Sequence, residues 1–264
     1  MAQLEIIVLA AGLGTRMKSD LPKVLHSVCE TPMLLLLLGE LEKAVRDKKI
    51  AARFNVVVGH GKQLVKDAVQ KNGLKTEVIF TVQDQQLGTG HAVKLALAQK
   101  SAAQTIAVFN GDLPLFSAAS FSEFLESHKK AKSAASLAST TISDAGQYGR
   151  ILSKGKNFLG CVEFKDATAA QRKITEYNGG VYLFDRALLQ LALNKMSNKN
   201  AAGEFYLPDV FAFARKLKKR IWAHHYTHAT VLMGVNNMKE LAAAQKTLYL
   251  QVADRLMEGG VFLS

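Results

Sequence analysis

Apolar positions in the first half of the chain form short continuous runs that alternate with segments in which they recur every three or four residues. Continuous runs bounded by turn residues are typical of buried strands, and the longer period is typical of amphipathic helices. The pattern predicts strands over 5–10, 55–58, 78–82 and 105–110 and helices over about 33–48, 63–70 and 91–99. This order predicts an α/β fold with a mostly parallel sheet flanked by helices and with ligands at the carboxyl ends of its strands.

The pattern changes after residue 134 and becomes richer in strands. It predicts strands over 136–142, 160–164, 176–184 and 221–226 and helices over 185–194, 207–218 and about 237–257. We find no internal repeat and no low-complexity linker. We therefore interpret residues 1–264 as a single domain with a first half (1–133), a second half with a smaller β element that forms the other side of a cleft (134–235), and a closing helix (236–264).

Composition indicates a globular protein of the reducing cytoplasm. At 264 residues and 48% hydrophobic content, the chain is long enough to bury a substantial core. The leucine run at 34–38 is far shorter than the ~20 apolar residues of a membrane span. Because Gly39 and Glu40 follow it, we interpret it as a buried helix start. The two cysteines, Cys29 and Cys161, have no disulfide-framework spacing, which favours a cytoplasmic location.

A net charge of +12 raises the question of an acidic partner. The basic residues form small clusters at 128–132 and 215–220, with few aromatic residues between them, and the second cluster falls at a predicted helix end. We interpret them as a solvated basic face or as a field that attracts small polyanionic substrates. The prediction is therefore that nucleic acid is not a partner. A membrane is not predicted to be a partner either, because no apolar run is long enough to span one.

The segment LAAGLGTRMKSDLPKVL (9–25) follows the first predicted strand and combines Gly12 and Gly14 with Arg16 and Lys23. A bound phosphate chain would explain all four residues. The dinucleotide fingerprint lacks its third glycine here, and Met17 stands where the P-loop pattern requires glycine. A tight turn without a ligand is the remaining alternative. The pattern favours a phosphate loop with its own spacing.

This segment resembles the signature of the sugar-nucleotide nucleotidyltransferases. Extended to Leu25 and His26, it resembles the uridyltransferase half of the bifunctional N-acetylglucosamine-1-phosphate uridyltransferase/glucosamine-1-phosphate acetyltransferase family. The resemblance implies a Rossmann-like nucleotidyltransferase fold, in which residues 1–133 bind the nucleotide and residues 134–235 bind the sugar phosphate. It implies that Arg16 and Lys23 are catalytic, since both can offset charge on the departing pyrophosphate. It also implies nucleotide contacts by Leu9, Ala10, Ala11, Gly12 and Gly14.

QDQQLGTGHA (83–92) resembles the base-recognition segment of the same family. The resemblance places Gln83, Gln86, Gly88 and Thr89 opposite uracil. An amide suits this base, because it can donate to a uracil carbonyl and accept from the ring N–H.

Two further motifs resemble the metal site of the family. NGDLPL (110–115) places Asp112 at the end of a strand, and GVNN (234–237) supplies Asn236. The resemblance implies that both hold Mg²⁺, a hard cation that prefers oxygen ligands. Taken alone, Asp112 could equally be a turn or N-cap aspartate, and Asn236 could be the N-cap of the last helix.

The second half of the chain contains motifs that resemble the sugar-phosphate site of the family. The resemblance implies sugar contacts by Gly149 in YGRI, Asn178 in NGG, Glu204 and Tyr206 in GEFYLPD, and Glu163. The family usually has threonine where this chain has Pro208. The missing hydroxyl bears on how strictly the acetamide of the sugar is selected.

AHHYTH (223–228) contains His224 and His228, which could approach a metal if the segment were helical. Tyr226, Thr227 and the preceding Trp222 favour a strand instead. We interpret the segment as an exposed strand end without zinc, because no cysteine or HExxH-type motif accompanies it.

The resemblance implies uridylyl transfer from UTP to N-acetylglucosamine 1-phosphate, giving UDP-N-acetylglucosamine, with Mg²⁺ as cofactor. The alternatives are a related enzyme with another sugar 1-phosphate or nucleotide, and a noncatalytic nucleotide-sugar sensor. The second domain of the resembled family is a left-handed β-helix, whose short repeats are absent from this sequence. We therefore expect no acetyl transfer from acetyl-CoA, and a monomer or weak dimer.

Overall fold

A computed structural model describes residues 3–155 and 157–262. A nine-stranded sheet forms its centre, and two very short strands pair separately. The strands are β1 (Leu4–Ala10), β2 (Ser27–Val28), β3 (Thr31–Pro32), β4 (Ala52–Val58), β5 (Glu77–Val82), β6 (Thr105–Asn110), β7 (Ala135–Thr141), β8 (Arg150–Lys154), β9 (Asn157–Val162), β10 (Glu176–Asp185) and β11 (Ile221–Tyr226). The helices are α1 (Met33–Asp47), α2 (Lys62–Lys71), α3 (Thr89–Leu97), α4 (Ala118–Ala131), α5 (Ala169–Arg172), α6 (Arg186–Lys195), α7 (Asp209–Lys216) and α8 (Met238–Glu258).

The sheet has the order β11-β7-β10-β6-β1-β4-β5. β1 pairs in parallel with β4 on one side and with β6 on the other, and β5 continues the parallel part beyond β4. β10 is antiparallel to both β6 and β7, whereas β11 is parallel to β7. The chain first extends the sheet toward β5 and then returns to add β6 beside β1. Crevices at such a switch point, outside the carboxyl ends of the strands, are where α/β sheets bind ligands.

Two apolar clusters cover the faces of this sheet. Alternate residues of β1 enter opposite clusters: Ile6 and Val8 belong to the cluster with α1, α2 and α4, and Ile7 belongs to the cluster with α3, α6 and α7. This two-residue alternation follows from the pleat of a strand. A smaller third cluster around Met33 and Val235 attaches α8. The predicted α/β class is confirmed, and one sheet runs through both predicted halves of the chain.

Most predicted elements are present, with boundaries shifted by up to three residues. The leucine run at 34–38 does lie in the first turns of α1, with Leu34, Leu37 and Leu38 buried. The basic cluster at 215–220 does fall at a helix end, since α7 ends at Lys216. The last two residues of the predicted closing segment, 263–264, lie outside the described residues. No helix in the described part of the chain is long and apolar enough to cross a membrane.

Several elements were not predicted, among them α4 and β8, and one predicted strand ends earlier than expected. Helix α4 was missed although its buried apolar residues recur at helical spacing: Ala118, Phe121, Phe124 and Leu125. Ser117 caps this helix by accepting from the N–H of Ser120 at 3.1 Å. The strand predicted over 160–164 is β9, which pairs with the unpredicted β8 and ends earlier. Phe164 lies beyond β9, where its ring stacks between Arg150 and Arg172.

The end of β11 is also less exposed than predicted. Tyr226 is buried and donates its hydroxyl to the carbonyl of Ser120 at 2.6 Å. His224 is partly buried beside Glu123 and Ser127 of α4. The segment is a strand, as expected, but its side chains pack against α4.

Glu5 is the fully buried charge of the sheet. Its carboxylate forms ion pairs with Arg53 at 3.1 Å and with Arg186, whose side chains are only 13% and 14% exposed. Asn55 donates to the same carboxylate at 3.3 Å. This network joins the amino-terminal ends of β1, β4 and α6.

We expect Glu5→Gln to lower the free energy of unfolding by about 3 kcal/mol, because two buried guanidinium groups lose their counter-charge. Urea unfolding followed by circular dichroism would measure the change. The matched control is Asp84→Asn, which breaks the exposed ion pair with Lys62 and is expected to cost less than about 1 kcal/mol. Equal effects of the two substitutions would contradict this role of Glu5.

Candidate active site at the carboxyl ends of β1 and β6

The loop after β1 turns back so that Lys23 lies against its first residues. Gly14 has a positive φ of 61°, and a Cβ at this position would lie 2.7 Å from the Cβ of Lys23. A short 3-10 turn then follows at Thr15–Met17, with Met17 buried beneath it. Gly14 is therefore needed for the close approach of Lys23, whereas Gly12 has open space around it.

Lys23 brings together three segments of the chain: the loop after β1, the NGDLPL segment and the GVNN segment. Its ammonium forms an ion pair with Asp112, two residues after β6, and donates to Oδ1 of Asn236 at 3.1 Å. Arg16 donates to the same Asn236 oxygen at 2.9 Å. The two predicted cationic groups and the two predicted metal ligands thus lie together, although they are separated by up to 220 residues.

The loop before α8 presents Asn236 while its neighbour caps the helix. The side chain of Asn237 accepts from the N–H of Glu240 at 2.9 Å. Glu240 in turn accepts from the Asn236 N–H at 2.7 Å and from the Asn237 side chain at 2.7 Å. The alternative in which Asn236 is the N-cap is therefore wrong. Asp112 is not a helix N-cap either, because Ser117 caps α4, the helix that follows it.

A cavity of about 350 Å³ lies beside Lys23 on the side of the glycine loop. Seven of the nine predicted nucleotide contacts line it, together with Lys23, Asp112 and Asn236: Leu9, Ala11, Gly12, Gln83, Gln86, Gly88 and Thr89. Ala10 and Gly14 do not line it. Ala10 is a buried strand residue, and Gly14 lies behind Lys23.

The two predicted base-reading glutamines hold the wall of this cavity in place. Gln86 reaches over the glycine loop and donates to the carbonyl of Ala11 at 3.4 Å. Gln83 is buried and donates to the carbonyl of Gly88 at 3.2 Å. Gln83 Nε2 also lies 3.1 Å from Nδ1 of His91, whereas Gln86 Nε2 has a second hydrogen available, and neither amide oxygen accepts a side-chain hydrogen bond from the described residues. Both groups therefore retain hydrogen-bonding capacity for a ligand.

The base-side segment is attached directly to the GEFYLPD segment. The N–H of Phe205 donates to Leu87 O at 2.8 Å, and Phe205 O accepts from the N–H of Gly90 at 2.7 Å. Gly88 has a positive φ of 102°, and a Cβ there would lie 2.6 Å from Phe205 O. The hydroxyl of Thr89 also accepts from the N–H of Leu207 at 3.0 Å. Only a glycine at 88 allows the two segments to approach so closely.

A second cavity of about 790 Å³ adjoins the first. It is lined by Arg16 and by all five predicted sugar contacts, Gly149, Glu163, Asn178, Glu204 and Tyr206, as well as by Pro208. Five residues line both cavities: Thr89, Asn110, Asp112, Glu204 and Asn236. The two cavities therefore meet where Lys23 contacts Asp112 and Asn236.

Two residues organise the larger cavity in ways that the sequence did not indicate. Arg150 is buried, and its guanidinium donates to backbone carbonyls of the loop before Gly149, those of Tyr148 and, at 2.7 Å, Gly146. Asn178 uses its own side chain internally, donating to the Tyr182 hydroxyl at 2.7 Å and accepting from the Gly180 N–H at 3.1 Å. The sequence contains one signal for this role of Arg150, namely a charged residue within a strand-like pattern.

Glu163 lies in an unusually acidic environment at the far wall of this cavity. Burial, together with the nearby carboxylates of Asp209, Asp166 and Glu204, raises the pKa of its carboxyl to about 7. A carboxyl group with such a pKa changes its charge near neutral pH.

A family model described as the MobA-like NTP transferase domain matches residues 6–199. The chain belongs to this family. The matched range contains the glycine loop, Lys23, both glutamines and Asp112, and it ends before Glu204 and Asn236. Membership in the NTP transferase family confirms the predicted class of enzyme, a nucleotidyltransferase.

Curated relatives of this transferase domain are bifunctional proteins. Bifunctional protein GlmU of Clostridium botulinum is 38% identical over 259 residues, which cover 97% of this chain and 54% of that protein. The protein of the same name from Bdellovibrio bacteriovorus is 39% identical over 260 residues, which cover 98% of this chain and 54% of that protein. The chain thus spans about half the length of the curated relatives it matches.

Solved structures support the fold of the transferase. UDP-glucose pyrophosphorylase complexed with UDP-glucose superposes with a TM-score of 0.75 at 18% identity, covering 95% of this chain and 100% of that chain. HddC from Yersinia pseudotuberculosis superposes with a TM-score of 0.64 at 20% identity, covering 92% of this chain and 99% of that chain. The predicted Rossmann-like nucleotidyltransferase fold is confirmed.

The raised pKa of Glu163 makes the stability of the transferase depend on pH. Its contribution is fully present below the ordinary pKa of 4.5 and is lost as pH rises through about 7, because the folded state must then bury a charge. We expect the wild type to lose up to about 3 kcal/mol relative to Glu163→Gln between about pH 5 and pH 8. Urea unfolding at both pH values measures this difference. The exposed Glu258→Gln is the control, and parallel pH profiles for wild type and Glu163→Gln would contradict the assignment.

Proposed function

We propose that this chain transfers the uridylyl group of UTP to N-acetylglucosamine 1-phosphate, giving UDP-N-acetylglucosamine and pyrophosphate. The observation that carries the proposal is the meeting of the two cavities at Lys23, Asp112 and Asn236. Two substrates bound on either side would bring their phosphates together at this point. The identity of 38% and 39% with the bifunctional proteins over nearly the whole of this chain supports the choice of reaction, together with the motifs that resemble a uridyltransferase.

The smaller cavity is the proposed UTP site. Gly12 borders open space in which a phosphate can approach the backbone, and Gln83 and Gln86 offer amide groups to the base. Uracil presents a carbonyl acceptor and a ring N–H donor, which together match one amide. The nucleotide contacts proposed here are therefore the seven predicted residues that line this cavity, without Ala10 and Gly14.

The larger cavity is the proposed acceptor site, with Glu163, Glu204 and Tyr206 available to the sugar hydroxyls. Pro208 lines the same cavity and carries no hydroxyl. The acetamide at this wall would therefore be held by shape and by its other contacts. A related sugar 1-phosphate is the second candidate acceptor, because the loss of one hydroxyl donor relaxes selection against other substituents.

The reaction needs no general base, because the sugar phosphate is already an anion near neutral pH. One of its oxygens attacks the α-phosphorus of UTP in line. The bond from that phosphorus to the oxygen bridging the β-phosphate breaks, and the electron pair leaves with pyrophosphate. Lys23 and Arg16 hold the phosphates in position and offset the growing negative charge.

The oxygens of Asp112 and Asn236 fit Mg²⁺. Both already contact a cationic group, the ammonium of Lys23, and carboxylate and amide oxygens are suitable ligands for this ion. Among residues 3–155 and 157–262, no three His, Cys, Asp or Glu side chains form a cluster that could hold a metal ion. A Mg²⁺ site does not require such a cluster, because water and substrate phosphates commonly supply the remaining ligands. When bound, the ion would neutralise phosphate charge. A noncatalytic sensor would not require these ligands beside Lys23, so we favour an enzyme.

We expect Asp112→Ala to lower turnover by at least about a hundredfold, because the phosphates lose a proposed metal ligand and Lys23 loses its ion-pair partner. Pyrophosphate release would be measured at saturating substrates, with circular dichroism to check folding. Asp144→Ala, at the rim of the larger cavity, is the control and should retain activity. A folded Asp112→Ala protein with near-normal turnover would refute the assignment.

The substrate assignment is tested by pyrophosphate release with UTP or CTP and a panel of sugar 1-phosphates. We expect UTP to be preferred over CTP by roughly ten- to a hundredfold in kcat/KM, because cytosine has an amino donor in place of the uracil carbonyl and a ring acceptor in place of the ring N–H. Among sugars, N-acetylglucosamine 1-phosphate is expected to react fastest. Equal rates with CTP would remove the glutamines from the base site, and release with no sugar of the panel would reject the proposed transfer.

A further inference from the structure

The two basic clusters of the sequence come together at one edge of the sheet. β7 and β11 run in parallel, with Ile221 opposite Ala135, so the residues before each strand are neighbours. The N–H of Ala134 donates to Arg220 O at 2.9 Å, and the hydroxyl of Ser133 donates to the same carbonyl at 3.2 Å. The basic edge formed in this way consists of Lys129, Lys130, Lys132, Lys218, Lys219 and Arg220.

The charge of the basic edge is not neutralised within the chain. All six side chains are exposed, and none forms an ion pair with another described residue. Two carboxylates lie near it. Asp185, which is exposed, lies close to Lys219, and Glu126 lies close to Lys129 but is paired with Lys48. The surface potential here is therefore strongly positive.

Two large apolar side chains lie beside these charges. Leu217, which follows α7, is 46% exposed, and Trp222, in the edge strand β11, is 40% exposed. Trp222 donates its indole N–H to Ser127 of α4 at 2.9 Å, which fixes the ring against the end of that helix. Exposed aliphatic and indole groups among lysines are typical of surfaces that lie at a membrane–water interface.

We propose that the basic edge binds the surface of a bilayer that contains anionic lipids. Lysine and arginine are attracted to the negative lipid headgroups, and Leu217 and Trp222 can enter the interfacial region. Nucleic acid would satisfy the charges but would leave Leu217 without an apolar environment. The sequence argument against a membrane concerned a spanning segment, and binding at the surface requires none.

The orientation is compatible with catalysis. The basic edge lies at the amino-terminal ends of β7 and β11, which run in the same direction as β6. The cleft lies at the carboxyl ends, and the six residues of β11 alone span roughly 20 Å. A protein bound through the basic edge therefore keeps its cleft open toward the solvent.

The test is flotation of the full chain with vesicles of phosphatidylglycerol mixed with phosphatidylcholine, compared with vesicles of phosphatidylcholine alone. The variant Lys218→Gln/Lys219→Gln/Arg220→Gln removes three charges of the basic edge. We expect its partitioning to fall on the order of a hundredfold. The matched control, Lys71→Gln/Lys75→Gln/Lys246→Gln, removes three exposed charges elsewhere and should bind like the wild type. Pyrophosphate release in solution should be unchanged in both variants.

Trp222 is the only tryptophan of the chain, so its fluorescence reports on this surface alone. We expect a blue shift of its emission with anionic vesicles and none with neutral vesicles. Absence of binding, equal loss in the two triple variants, or binding without a change in Trp222 emission would overturn the proposal. Binding of a labelled oligonucleotide that depends on the basic edge, with no binding to vesicles, would reassign the surface to nucleic acid.

Discussion

The parallel register of β1 and β6 places the residues that follow the two strands next to each other, and the N–H of Gly111 donates to Leu9 O at 2.9 Å. The glycine loop starts from one strand and the Asp112 turn starts from the other. Neither loop could reach a shared ligand if the strands were out of register. The ion pair between Lys23 and Asp112 is then possible because Gly14 leaves room for the lysine.

Lys23 and Arg16 are the cationic side chains that line the cleft, and they lie beside Asp112 at the point where the two cavities meet. Lys23 and Arg16 share the oxygen of Asn236, so both cations are oriented before phosphates are present. Such preorganisation avoids rearrangement of dipoles and charges during a reaction. The acidic wall around Glu163 lies at the other end of the larger cavity, where neutral sugar hydroxyls rather than phosphates would be its partners.

The sequence predicted the parallel half of the sheet well because strands such as β1 and β6 are buried on both faces and read as continuous apolar runs. It missed α4 although the buried residues of that helix recur at helical spacing, and it predicted β8 and β9 poorly, since a bulged hairpin has no regular period. Motif resemblance brought Asp112 and Asn236 into one site. It could not reveal that Asn237 caps α8 or that Arg150 shapes the cavity, because those roles depend on hydrogen-bond geometry. Likewise, the two basic clusters become neighbours only through the pairing of β7 with β11.

The hydrogen bonds between Phe205 and the segment around Gly88 have a consequence for the evolution of specificity. The walls of the proposed base and sugar sites are therefore joined to each other rather than forming two separate modules. Under the proposed function, a substitution that shifts residues 83–90 would also shift Glu204 and Tyr206, so base preference and sugar preference would be inherited together. New combinations of nucleotide and sugar would therefore require compensating changes on both sides of this contact.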